Sequence, residues 1–521
     1  MRESVATVMS VSLLGLEGHI VEVESHVGSG LVAFTLVGLP DTSLKESKDR
    51  VRAALQSCSL HMPDHRVTVN LSPAGLPKSG SGFDLAIAMS VLIADGSLPA
   101  GALSDTIVLG ELALDGSLRP IRGILPALMS ASQHGFTRAI VPTQCQSEAD
   151  LVPGIEIHSF DHLADVICWA GGQAYRPQTR SEHTHSANRL QSGSSGEKVR
   201  SDGDLVDVRG QAHARHALEV AAAGGHHLHL VGEPGSGKTM LATRMPTVLP
   251  DLDDETALTT TAIHSVAGAL KRDDTLIRTP PLYAPHHSMT LPALIGGGHT
   301  LPRPGAVSLA HGGILFLDEA PEFAPSVLDA LRQPLEDGVV SLHRARGHTR
   351  YPARFQLILA SNPCPCGQSG ARLAHCECTS LEKRRYQARL SGPLRDRIDI
   401  TVPMRTPTRA DLATDSGEHS SDVKARVIGA RERQAHRLAH TPWSLNAHLP
   451  GAWIRKNTPI PSDIRQHLDS AIDRGTLSMR GADRVLRLLW TIADLNSHNT
   501  PDMADLALAL VLRSGQAHDL A

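Results

Sequence analysis

Aromatic residues are scarce: they fill 3% of the 521 positions, with 4 Trp and 4 Tyr. The cores must then be aliphatic, and stacking of bases on aromatic rings is a poor basis for binding single-stranded nucleic acid. A strong net charge is also absent. The formal charge is −4 at pH 7, so nucleic-acid binding has to rest on a local basic surface rather than on the chain as a whole. No run of eighteen apolar residues occurs, which argues against a transmembrane helix and a membrane partner. A basic start, a long apolar stretch and a cleavage site are missing from the beginning of the chain, so no secretory leader is expected. Cysteines number 7, an odd count, and four of them lie between Cys364 and Cys378. That usage suits a reduced, cytoplasmic setting with a metal site better than a disulfide framework. The 29 His fall mostly on polar segments and are expected to be solvated.

Apolar content of 41% is enough to fill several cores, and the length suits roughly two to four domains. The clearest break is Tyr175 to Asp204, a polar, Ser/Gly-rich stretch that reads as a flexible linker, 175–204. There is no short internal repeat. Ahead of the linker, Ile20–Val27, Phe34–Leu39, Arg66–Leu71, Ile107–Glu111 and Ala139–Pro142 read as strands. Asp41–Ser57 and Phe83–Ala94 read as helices, giving a mixed α/β domain over 1–174. After it, strands and helices alternate over 205–406. Helical patterns dominate 407–521, notably Ala482–Leu495 and Met503–Leu512.

Gly232-Glu233-Pro234-Gly235-Ser236-Gly237-Lys238-Thr239 fits the phosphate-loop pattern, between an apolar strand, His227–Val231, and a helix, Met240–Leu249. Its glycines let backbone N–H groups close around phosphate oxygens at a helix N-terminus. Lys238 would reach the outer phosphates of ATP, and Thr239 would hold Mg²⁺. Further on, Gly312-Gly313-Ile314-Leu315-Phe316-Leu317-Asp318-Glu319 reads as a buried parallel strand ending in two acids. That end is where open α/β sheets bind ligands. Asp318 is the candidate for Mg²⁺, and Glu319 for polarising the attacking water. Taken alone, the segment reads equally as a core strand with a solvated acidic turn. A third strand, Phe355–Ala360, ends at Ser361-Asn362, where an amide can orient water or touch the terminal phosphate. Leu390–Asp399 is Arg-rich, and an arginine there could stabilise charge on the transferring phosphoryl group. Arg480, at the start of the last strongly helical run, could also reach the nucleotide.

The order of these parts resembles an AAA+ ATPase of the magnesium-chelatase-like branch, in the ComM/YifB family. The resemblance rests on Ala284-Pro285-His286-His287-Ser288, Gly296-Gly297-Gly298, Arg303-Pro304-Gly305, Ser308-Leu309-Ala310-His311, Leu317-Asp318-Glu319, Asn362-Pro363-Cys364-Pro365-Cys366-Gly367 and Ser391-Gly392-Pro393. It extends to Arg397-Ile398-Asp399 and Thr491-Ile492-Ala493-Asp494-Leu495, nearly the whole chain except the linker. It implies that Asn362 is the first sensor, Arg397 an arginine finger acting on a neighbour, and Arg480 the second-sensor arginine. Arg395 stands where an apolar residue is usual and is the alternative finger; Tyr283 stands where an arginine is usual. Val339–Arg346, after a helix at Pro325–Glu336, resembles a pore-facing β-hairpin. Its His343, Arg344 and Arg346 are candidates for touching phosphates, or a solvated tip.

Four thiols, Cys364, Cys366, Cys376 and Cys378, can satisfy tetrahedral Zn²⁺ and leave no open position for chemistry. Free thiols or a redox pair are the alternatives. Cys58, Cys145 and Cys168 read as small apolar residues.

The region before the linker resembles the Lon-protease-like (S5-type) fold. By that resemblance the nucleophile position falls on Gly82 and the catalytic-lysine position on Leu125. Without an amine to take its proton, a nearby hydroxyl such as Ser79 or Ser81 stays unactivated. A non-catalytic ring or DNA-contacting module is the expectation. Lys45, Lys48, Arg50 and Arg52 are candidates for a phosphate-binding face, or for an ordinary solvated helix.

The expectation is therefore an ATP-hydrolysing cytoplasmic ring motor, a homo-oligomer and by resemblance a hexamer, acting on single-stranded or branched DNA. A chelatase motor subunit driving metal insertion and an ATP-dependent Lon-like protease are the alternatives. A nucleotide-dependent scaffold without hydrolysis is disfavoured, because a scaffold needs no water activation.

Overall fold

The computed structural model describes residues 4–39, 41–78, 80–177, 203–270, 276–298, 302–344, 347–369 and 376–515. Most of the expected linker, and Ser79, Arg346 and the side chain of Arg344, lie outside that set.

Residues from Ser4 to Phe160 supply a seven-stranded sheet. Its order is Ala33–Val37, Arg66–Ser72, Glu17–Gly28, Ser4–Leu14, Thr106–Val108, Arg138–Pro142, Glu156–Phe160. Ser4–Leu14 and Glu17–Gly28 are antiparallel, joined by a tight turn at Gly15 (φ +70°). The strands from Ser4–Leu14 to Glu156–Phe160 then run parallel. The helix Asp84–Ala94 is buried on nearly every side, as its almost continuous apolar sequence demands. Its one charge, Asp84, is fully buried and receives Arg50 Nε at 2.6 Å and the Ser47 hydroxyl.

That pairing corrects the phosphate-face reading of Arg50, which is a structural ion pair. Other details differ as well. Asp41–Ser57 divides at Glu46 into two helices. Ile107–Glu111 splits, with Glu111–Leu112 pairing separately with Leu118–Arg119. Cys58 and Cys145 are buried as expected, whereas Cys168 is exposed. His162, His226, His264 and His311 are buried, not solvated. Each has a polar partner; His264 Nε2, for example, lies 2.9 Å from the Leu309 carbonyl.

The second sheet has five parallel strands in the order Leu282–Tyr283, Ile314–Leu317, Gln356–Ser361, Leu228–Gly232, Ile400–Met404. Ile314–Leu317 and Gln356–Ser361 are buried along their whole length, as a sheet covered on both faces requires. Helices Ala212–Gly224 and Lys238–Val248 cover it, and helices Ser420–Arg437, Met479–Leu495 and Met503–Ser514 pack onto the same core. Met479–Leu495 buries Val485, Leu486, Leu488, Leu489 and Ile492, each contributing about 1.5–3 kcal/mol. The expected helix Pro325–Glu336 is broken at Leu331 into Pro325–Ala330 and Arg332–Asp337. The hairpin after it is present, Val339–Arg344 against Gly347–Pro352.

The two sheets meet through helix Asp254–Ala267, which packs beside Ile124–Gln133. Ala262 and Leu258 belong to the same apolar cluster as Leu125 and Leu128. Glu148 bridges the seam, accepting the Leu125 N–H at 2.7 Å and the Ser265 hydroxyl. Burial pushes the Glu148 carboxyl up despite these donors. Leu125 is fully buried, and a side chain at Gly82 would press on Ile121. Ser81 donates to the Glu111 carboxylate, and the buried Lys78 ammonium rests on the Pro73 carbonyl.

Candidate nucleotide site

Strand register aligns the carboxyl ends of three neighbours: Leu317 faces Leu359, and Ser361 faces Val231. The residues that follow each strand therefore converge at one edge of the sheet. From the first comes Asp318-Glu319, from the second Asn362, and from the third the loop Gly232–Thr239.

Gly235 and Gly237 adopt φ of +80° and +90°, which L side chains rarely tolerate, and a Cβ on either would meet nothing within 4 Å. The loop is thus open on the side where phosphate oxygens would be cradled by backbone N–H groups. Gly237 hands over directly to helix Lys238–Val248. Gln211 fastens the loop from outside, donating Nε2 to the Ser236 carbonyl at 2.9 Å and to the Arg405 carbonyl at 2.6 Å.

The buried Lys238 ammonium donates to the Gly232 and Glu233 carbonyls at 2.7 and 2.8 Å, and to Asn362 Oδ1 at 3.2 Å. Burial lowers its pKa, opposed by the charges of Asp318, Glu319 and Glu233. Thr239 Oγ1 donates to Asp318 Oδ2 at 2.6 Å. Two hard oxygen ligands are therefore adjacent, the donor chemistry Mg²⁺ selects. Glu319 holds a left-handed backbone, φ +49°, unusual for a residue with a side chain. Its N–H donates to Asp318 Oδ1 at 2.9 Å, and its exposed carboxylate lies 3.7 Å from His287 Nδ1.

Lys238, Thr239, Asp318, Glu319 and Asn362 are thus brought together. Arg397 is elsewhere: it pairs with Glu336 and donates to the Pro393 carbonyl at 2.7 Å. Arg395 is exposed. Arg480 is exposed in the first turn of Met479–Leu495. Three contributors are not assigned by the sequence. His287 lies within the Ala284–Ser288 motif, but nothing there ties it to Glu319. Gln211 belongs to no pattern. Arg389 reaches the Pro321 carbonyl and Glu322, both at 3.0 Å, just beyond Glu319.

The four clustered thiols also converge. Sγ separations are 3.3 Å for Cys364–Cys366, and 3.7 Å for both Cys364–Cys376 and Cys366–Cys376. All four sulfurs lie within 4.8 Å of one another, and the set could hold a metal ion.

A parallel sheet with a phosphate loop after one strand and an acidic pair after another is a P-loop nucleotide-binding core. Family models agree on the type. "Magnesium chelatase, subunit ChlI" matches residues 204–412, "Subunit ChlI of Mg-chelatase" residues 23–145, and the ChlI C-terminal model residues 417–513. The chain is 46% identical to Rv2897c of Mycobacterium tuberculosis over 97% of both proteins. It is 40% identical to competence protein ComM of Haemophilus influenzae over 98% of both. Identity to YifB of Escherichia coli is also 40%, over 95% of this chain and 94% of that protein. The chain belongs to the magnesium-chelatase-like AAA+ family, in its ComM/YifB group. A partial likeness to Lon protease 2 of Bacillus subtilis, 27% over 24% of this chain, accompanies it.

Proposed function

We propose that this protein is an ATP-hydrolysing AAA+ ring motor that moves branch points in DNA during recombination. The observation that carries the hydrolytic part is two adjacent hydrogen-bonded pairs, Lys238 with Asn362 and Thr239 with Asp318, at the mouth of the phosphate loop. Lys238 is placed to exchange its two loop carbonyls for phosphate oxygens, which are stronger acceptors for a cation. Thr239 and Asp318 would hold Mg²⁺, which neutralises charge on the phosphates. Glu319 polarises the attacking water, and Asn362 fixes the terminal phosphate or that water. Arg397, engaged away from this site, faces the neighbouring subunit's nucleotide. Arg480 approaches the nucleotide as the helical lid closes. The ring, by family likeness a hexamer, supplies the neighbour each site needs.

The DNA part rests on the 40% likeness to a protein named for competence and on the hairpin Val339–Pro352, which exposes His343, His348 and Arg350. A chelatase motor is the weaker alternative, because the likeness to ComM and YifB runs through the whole chain, including the α/β unit ahead of the linker. The protease alternative is weaker still. The lysine position is a leucine sealed into an apolar cluster shared with the ATPase sheet's own helix.

The test is migration of a synthetic four-way junction by the full-length protein with MgATP, with Lys238→Ala as control. The expected result is ATP-dependent resolution of the junction by the wild type alone. ATPase rate should also rise with branched DNA and fall back as salt displaces phosphate contacts. An ATPase rate that stays flat across DNA concentrations, with no migration, would sink the DNA assignment.

A further inference from the structure

We infer that Cys364, Cys366, Cys376 and Cys378 form a structural zinc site that braces the nucleotide site, so that metal occupancy sets the affinity for ATP. The inference rests on the reading of Gly232–Thr239 as a nucleotide loop.

The sulfurs carry the first half of the argument. A tetrahedral ion with Zn–S bonds of about 2.3 Å holds its four sulfurs about 3.8 Å apart. The separations of 3.7 Å from Cys376 to Cys364 and to Cys366 match that edge, and the 3.3 Å pair is slightly compressed. None of the four is disulfide-bonded. Soft thiolates select Zn²⁺ over the Mg²⁺ suited to the oxygen ligands nearby. Four protein ligands leave no position for substrate, so the role of the ion is mechanical.

What surrounds the sulfurs carries the second half. Cys364 lies two residues beyond Asn362, whose amide oxygen receives Lys238. At Gly367 (φ +77°) a Cβ would stand 2.8 Å from Pro234 Cγ and Cδ in the phosphate loop, and 3.8 Å from Asn362 Cγ. The backbone just after Cys366 therefore rests on both. On the far side, Cys378 leads into helix Ser380–Ala388, started by a Thr379–Glu382 capping box. Gln387 returns to the Pro363 carbonyl at 3.4 Å. Arg389, next after that helix, grips the Pro321 carbonyl and Glu322 beyond Glu319. One ion thus ties Gly367, which touches the phosphate loop and Asn362, to the segment leading into the helix after which Arg389 reaches the turn beyond Glu319. Losing it would free Asn362 and Pro234 together.

The test uses the full-length protein purified with zinc present. Elemental analysis should give one zinc per chain. Cobalt substitution should give intense thiolate-to-metal charge-transfer bands. Cys376→Ser/Cys378→Ser should lose the metal and bind a fluorescent ATP analogue about tenfold more weakly, the scale of one charge-assisted hydrogen bond. If that variant does not fold, by circular dichroism, Gly367→Ala takes its place. It keeps all four thiols, so zinc should stay at one per chain while the added methyl pushes on Pro234 and affinity falls by a similar factor. Wild-type protein without zinc overturns the site. Unchanged analogue affinity in the readable variant overturns the brace. Failure of the zinc-loaded wild type to bind the analogue at all, with the metal count intact, would instead refute the nucleotide reading.

Discussion

Asp399 accepts the Arg484 guanidinium at 2.7 Å, and the pair ties the parallel sheet to the last helical layer. Asp399 stands just before strand Ile400–Met404, two residues after Arg397. Arg484 is one turn beyond Arg480 in the same helix. The other Asp399 oxygen faces His226 Nδ1 at 3.3 Å, and His226 continues to Thr491 at 2.8 Å. Beyond Thr491, Asn446 and Arg437 converge on Asp494. The family-like stretches Arg397–Asp399 and Thr491–Leu495 are thus two sides of one buried polar seam.

Burial pushes the Asp399 carboxyl up, but the His226 hydrogen bond and the charges of His226 and Arg484 outweigh it and hold it well below the usual carboxylate range. Arg484→Met should therefore cost about 3–5 kcal/mol, the scale for stranding a buried partner, read as a lower midpoint in urea. The folded pKa is depressed, so the stabilisation is present above the unfolded value of about 3.9 and fades as pH falls below it. The gap between wild type and Arg484→Met should be constant near neutrality and shrink in acid. A gap that widens in acid would contradict this assignment.

Glu319→Gln separates binding from chemistry. The amide keeps the size of the side chain but cannot take a proton from water. ATP-analogue affinity should stay within about twofold, while turnover falls at least ~10²-fold, the scale of lost base catalysis. Turnover near wild type would pass the role of base to another group, and His287, 3.7 Å from the carboxylate, would be the first to examine.

Much of this site was legible because phosphate chemistry constrains local sequence. A loop of glycines before Lys238 in a strand–loop–helix context has few other uses, and it is the pairing with that loop that gives the acids after Leu317 their meaning. The burial of Ile314–Leu317 follows from its unbroken apolar run; the order of the strands in the sheet does not. What escaped was long-range. Ser4–Leu14 gains its partners only through the hairpin and the distant strand Thr106–Val108. Arg50 looks like a surface cation until Asp84, far along the chain, is seen buried beneath it. The buried histidines escaped for the same reason. His226 is a polar residue in a polar dipeptide, and the partners that offset its burial, Asp399 and Thr491, are remote in sequence.

Arg397 offers a test that a merely structural arginine would fail. If it completes a neighbour's site, Arg397→Ala rings should lose on the order of 10³-fold in ATPase rate, with ATP binding retained. Glu319→Gln rings should be similarly slow. Mixed in one assembly, the two variants should regain activity. A site with intact Glu319 in one subunit can then receive intact Arg397 from the next. Activity that only averages the two parents would place the arginine's role within its own subunit, or deny it one.

Glu148 supplies a last, opposite-signed pH effect. It sits between Leu125 and Ser265, at the seam where the Lon-like unit meets the ATPase sheet, and burial raises its pKa. A raised carboxyl contributes its stability below the unfolded value, about 4.3, and loses it as pH rises through the folded value. Glu148→Gln keeps an acceptor for both donors and never ionises. The variant should match the wild type near pH 4.5 and become the more stable of the two toward pH 7. The difference should grow by at most about 1.4 kcal/mol per pH unit between the unfolded and folded pKa values, and level off above the folded one. Differential scanning fluorimetry across that range measures the divergence. A variant less stable at pH 7 than at pH 4.5, relative to wild type, would show that the ionised carboxylate holds the seam.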